Sequence, residues 1–199
     1  MVLMPREQSA APGDPRIRGY LEQLDAILLD ARELAADLTS AQFNWRPDGR
    51  RWSVGQCLEH LTLTVRLYPR RIEEMIEEAR SRSAAGGKPY REGWFSRWFV
   101  RSMEPPPSLR VRTFSKVEPP RELDRDAVLA AFEASHGRLA DLMRAADGVS
   151  LTHGRMPSPF LSVLKFTMNQ VFDMNLAHAR RHLWQARQVV AHPSFPAGG

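Results

Sequence analysis

Four long stretches of three- and four-residue apolar spacing constrain the fold of this chain more than any other feature. The first, from about Ile17 to Leu38, places Ile17, Leu21, Leu24, Leu28, Ala31, Ala35 and Leu38 on one face, as an amphipathic helix requires. Asp14 followed by Pro15 predicts an N-cap with proline at the first helical position. The second opens at Ser53, where Ser53 and Gln56 form an S-x-x-Q capping box and Trp52 is placed to staple onto Cys57. Its stripe is Val54, Leu58, Leu61, Val65, Tyr68, Ile72, Met75 and Ile76, with a kink expected at Pro69, the acidic side chains of EEMIEEAR in solvent, and an end at Gly86–Gly87. The third runs from Asp124 or Asp126 to about Ala146. The fourth is expected to begin at Ser158–Pro159 and to reach about Val190, with a first half apolar on most faces, which suits the centre of an assembly or a subunit contact.

Between the second and third helices the periodicity lapses. The stretch from about 86 to 123 holds Pro89, Pro105-Pro106-Pro107 and Pro119-Pro120, and it is far longer than the roughly 2–8 residues of a bundle turn. Within it, Trp94, Phe95, Trp98 and Phe99 (segment 93–101) read as a short amphipathic helix that packs on the bundle or lines a pocket or dimer contact. No strand alternation, phosphate-binding glycine loop, nucleophile elbow or repeat is visible. The expected fold is all-α: a four-helix bundle with a long crossover between helices 2 and 3. Residues 1–13 read as a loose tail and 14–192 as one domain.

Composition narrows the function. The 199 residues are 43% hydrophobic, as in a globular domain. No run of about 18 uncharged apolar residues predicts a membrane span, and no apolar core of a secretory signal is visible near the start. The single cysteine, Cys57, excludes an intrachain disulfide and a cysteine-rich zinc module, which fits a cytoplasmic protein. A net charge of +5 and a pI near 10 suggest nucleic acid at first sight. Only Lys88, Lys116 and Lys165 among the 28 basic residues are lysines, however, and the basic residues alternate with 23 acidic ones instead of clustering, so no nucleic-acid partner is expected.

The chemistry concentrates in the histidines. His178 and His182 are four apart on the fourth helix, so both rings leave one face and are able to share a metal ion. His60 lies at the edge of the core-facing stripe of the second helix, as a third ligand or as a satisfied core residue. His136 and His153 have no spaced partner and read as ordinary polar positions. Cys57 is a candidate nucleophile but reads better as a small buried hydrophobe. Glu59 is a candidate base on a solvated face. Asn169, Asp173 and Gln185 are candidates to hydrogen-bond the ligands, with Gln185 the best spaced. Arg180 and Arg181 are candidates to orient an anionic substrate.

Two stretches together resemble the DinB/YfiT-like family. FNWRPDGRRWSVGQCLEHL carries the W-S-[apolar]-x-[EQ]-x-[apolar]-x-H-L pattern, and NLAHARRHLWQ carries H-x-x-x-H-x-x-Q about 120 residues later. The resemblance implies a divalent transition metal (zinc, nickel or iron) held by His60, His178 and His182, and a homodimer. It also implies a metal-dependent S-transferase that adds a low-molecular-weight thiol to a small electrophilic substrate. The alternatives are a hydrolase using metal-bound hydroxide, or a non-catalytic metal-binding stress or binding protein.

Overall fold

The structure is a computed structural model that describes residues 12–82, 94–106 and 114–197, without the side chains of 94–97 and 99. Helix α1 (Pro15–Ala36) begins where expected: the Asp14 carboxylate accepts the Arg16 N–H at 2.8 Å, with proline in the first turn. The backbone N–H groups of Gly13 and Asp14 donate to Asp147 at 2.9 Å, tying this end to the far end of the third long helix. A short helix α2 (Ser40–Asn44) follows, capped by a Thr39–Gln42 box. Helix α3 (Val54–Val65) starts at the Ser53–Gln56 box, with Ser53 Oγ accepting from Gln56 N–H at 3.1 Å.

Pro69 breaks the second long helix instead of kinking it. Proline lacks an N–H, and its ring clashes with the carbonyl four residues earlier, here Val65. Helix α3 therefore stops at Val65, and α4 (Pro69–Ser81) starts anew with Pro69 in its first turn. That helix ends at Ser81; the expected end at Gly86–Gly87 lies outside the described residues, as do residues 1–11, Pro89 and Pro107. In the crossover, α5 (Trp94–Met103) confirms the short helix, and a 3-10 turn spans Ser115–Val117. The side chains of Trp94, Phe95 and Phe99 lie outside the described set, and Trp98 is half exposed. Helix α6 (Arg125–Ala145) is capped by Asp124, whose carboxylate accepts from Ala127 N–H at 2.7 Å.

The start of the fourth helix departs from expectation. Ser158–Pro159 lies in a small antiparallel hairpin, β1 (Met156–Pro157) and β2 (Lys165–Phe166), and α7 (Met168–Val190) begins ten residues later. Ser158 Oγ accepts from the N–H groups of Phe160 and Leu161 at 3.2 and 3.3 Å, as a cap would. The chain then turns back, and Ser158 N–H donates to Leu164 O at 2.7 Å. The absence of strands expected from the sequence is thus corrected by this hairpin, whose tip leaves Val163 85% exposed.

Both α1 and α3 pack against α6 and α7, so α1 and α3 occupy one diagonal of the bundle and α6 and α7 the other. Helix α4 continues along α6, and α5 lies against α7. The resulting four-helix bundle has a core in which Phe43, Phe132 and Phe172 are wholly buried. Among the described residues no helix is long and apolar enough to cross a membrane. At Gly55, on α3, an added Cβ would lie 2.5 Å from the Phe43 ring. Gly55→Ala is therefore expected to destabilise by about 1–3 kcal/mol, although alanine gains up to about 1 kcal/mol in helix propensity; a urea melt reads the net sign.

Candidate metal centre

The neighbouring helices α3 and α7 bring together three histidines that stand far apart in sequence. His60 projects from α3, and His178 and His182 from one face of α7. The Nε2 atoms of His60 and His178 are 3.3 Å apart, and those of His182 and His178 3.1 Å apart. One nitrogen from each ring lies within 4.8 Å of the others, the one such cluster of potential ligands among the described residues.

The tautomer of His60 follows from its partner. Its Nδ1 lies 2.8 Å from the Val117 carbonyl, which only accepts, so Nδ1 carries the proton and Nε2 presents a lone pair to the cluster. The 3-10 turn at the end of the crossover thus aims a ring of α3. The chain that follows this turn is anchored in its own right: Gln56 Nε2 donates to Pro120 O at 3.1 Å, and Asn44 exchanges two hydrogen bonds with the Leu123 backbone. Trp52 lies with its indole stacked on His182 (centroids 5.6 Å apart, planes at 26°) and tilted against His60 at 4.8 Å. Trp52, packed against the core, thus also walls the imidazole cluster.

Electrostatics keep the three rings neutral. Burial lowers the pKa of all three. For His178, burial, then the neighbouring His60, Arg181 and His136 charges, bring it to about 3. His182 is pushed well down by burial, by His178 and His60, and by Arg181, while the Gln185 side chain beside it favours its charged form. Its Nδ1 is buried with no hydrogen-bond partner. Neutral imidazoles are the form that binds metal. Ligand nitrogens at about 2.0–2.1 Å from a shared ion are separated by roughly 2.9–3.4 Å along the edges of a tetrahedron or octahedron. The two measured separations fall in that range, so the donor set fits a divalent transition ion.

The other candidates fall elsewhere. Cys57 is wholly buried in the core, and burial pushes its thiol up, which suits a hydrophobe and not a nucleophile. Glu59 is half-buried, with its carboxyl raised by burial and partly offset by Arg66. Asn169 is spent at the start of α7, where it accepts from Thr167 Oγ1 at 2.7 Å. Asp173 is half-buried five residues before His178, off the ligand face. Arg180 is clamped by Glu104 and donates to Gln23 at 3.0 Å, joining α7 to α5 and α1. Arg181 is half-buried, and its charge acts on both His178 and His182. His153 sits in a turn before β1, and His192 lies against Trp45. His136, read as an ordinary polar position, is a buried core imidazole within electrostatic reach of His178. Val117 was invisible to sequence reasoning, because a backbone carbonyl has no side-chain signature.

A model of the DinB superfamily matches residues 23–186. The structure is similar to that of YfiT from Bacillus subtilis, described as a probable metal-dependent hydrolase with an unusual four-helix bundle topology. The TM-score is 0.59 at 15% identity, over 95% of this chain and 92% of that one. No curated protein matches the chain.

Proposed function

The chain belongs to the DinB superfamily, and from that premise we propose that it is a metal-dependent enzyme whose centre is built by His60, His178 and His182. The observation that carries this reading is the convergence of three imidazoles, one nitrogen of each within 4.8 Å of the others. A divalent ion held there supplies Lewis acidity, lowering the pKa of a thiol or water that reaches it.

The reaction we infer is transfer of a low-molecular-weight thiol to an electrophilic carbon. The thiol proton passes to solvent, the sulfur lone pair forms the S–C bond, and the leaving group departs with its bonding pair. The chain's own part is positioning. Val117 O holds the His60 ring in its ligand tautomer, and Trp52 covers His60 and His182 on one side. Support for a thiol lies in the family resemblance and in the ligand set: all three donors are neutral, and a thiol, with a free pKa of about 8.5, needs only a modest shift to ionise near neutral pH. Hydrolysis of an ester or amide is the second reading, favoured by the likeness to YfiT.

The test is a paired assay on zinc-, nickel- and iron-loaded protein. Consumption of free thiol with 1-chloro-2,4-dinitrobenzene supports transfer. Release of nitrophenol from a nitrophenyl ester without thiol supports hydrolysis. Inactivity in both with every metal overturns the enzymatic reading and leaves a metal-binding protein.

A further inference from the structure

The two arginines that follow His178 do different work. Arg180 is two residues from each ligand of α7 and therefore turns away from their face; the Glu104 carboxylate accepts from its Nε and Nη2, and Gln23 Oε1 accepts from its Nη1. Arg181 is three residues after His178 and adjacent to His182. His178, Arg181, His182 and Gln185 thus recur at the three- and four-residue steps that share one helical face. Arg181 is half-buried, and its charge reaches both His178 and His182. It also has an interaction of its own. A guanidinium presents its N–H donors as a planar fork.

The ligand set adds a second charge argument. The three donors are neutral, so a divalent ion held by them keeps its full charge, and Arg181 adds another beside it. In a partly buried site such charge is screened less than at the surface. Ligands that bring negative charge are favoured there, and a carboxylate matches the planar fork of a guanidinium.

We propose that Arg181 is the specificity residue of this centre and that the site selects a small substrate bearing a carboxylate. This inference rests on the metal-enzyme reading above. The carboxylate belongs either to the thiol or to the acceptor, and the test separates the two.

Cobalt-substituted protein, its metal content established by mass spectrometry, is titrated while the visible cobalt spectrum is followed. One arm compares 3-mercaptopropionate with 2-mercaptoethanol; the other compares succinate with succinamide. We expect the carboxylate-bearing member of at least one pair to bind about tenfold more tightly, the factor that corresponds to about 1.4 kcal/mol. Preference in the first arm places the carboxylate on the thiol, and preference in the second arm alone places it on the acceptor. Arg181→Gln should shrink the ratio to within about twofold, Arg181→Lys should retain most of it, and Arg180→Gln should leave it intact, since Arg180 is held away from the ligand face by Glu104 and Gln23. Cobalt bound with ratios near one in wild type, or ratios unchanged in Arg181→Gln, overturns the inference alone. Failure to take up cobalt overturns the metal-enzyme reading and this inference with it.

Discussion

His178→Ala, purified without a histidine tag, is expected to contain less than about a tenth of an ion per chain where wild type holds about one. His178 is the middle member of the cluster, with its Nε2 next to both of the others. Its loss leaves two donors from different helices, so the affinity should fall by more than the roughly 10–100-fold that loss of a mere outer-shell partner costs. A second readout is thermal. Binding to the folded state alone stabilises by about 2.7 kcal/mol at a hundredfold excess of metal over Kd. For a chain of this size that raises the melting temperature by roughly 5–10 °C. Zinc or nickel should produce this rise in wild type and not in His178→Ala, while the two metal-free proteins melt within a few degrees of each other. Equal metal content in both proteins, or no rise in wild type, would mean that the histidines are core residues that happen to meet.

Much of this arrangement was legible in the sequence, because caps and apolar periods are local. Asp14–Pro15, the Ser53–Gln56 box and Asp124 each mark a helix start that the structure retains. The i,i+4 pair of His178 and His182 places two rings on one face whatever surrounds them. The misreadings arise where a local signal admits two continuations. Ser158–Pro159 caps its next turn as a helix start would, yet pairing of Met156–Pro157 with Lys165–Phe166 returns the chain. The true start carries its own box, with Gln170 Oε1 accepting from Thr167 N–H at 2.9 Å. At Pro69 the choice between kink and break depends on what neighbouring elements hold in place, which spacing cannot express. Relations across the bundle are hidden for the same reason. Nothing in the spacing of Val117 places its carbonyl on His60, and nothing in the spacing of His136 brings it near His178.

His136 provides the second large effect, an acid-sensitive core. The residue is 1% exposed, packs against Phe132 with ring centroids 3.9 Å apart and planes tilted by 32°, and donates Nδ1–H to the Phe132 carbonyl at 2.9 Å. Its Nε2 is buried with no partner. Burial lowers its pKa from 6.5 to about 4, against a smaller opposing effect of the Phe132 carbonyl. The unfolded chain takes up the proton near pH 6.5 and the folded one only near 4, so between these values the unfolded state binds more protons. Stability therefore rises with pH across that window; it is fully present above 6.5 and is lost as the pH falls towards 4. The shift corresponds to about 3 kcal/mol in all, of which about 2 kcal/mol is gone by pH 5. His60, His178 and His182 add losses of the same sign in metal-free protein, so the informative quantity is a difference. Urea melts of wild type and His136→Leu at pH 7.5 and pH 5 should show the variant losing about 2 kcal/mol less over that interval, whatever constant offset the lost Phe132 bond introduces. Equal losses in the two proteins would mean that the His136 imidazole accepts its proton in the folded state, with Nε2 reaching a donor such as a buried water.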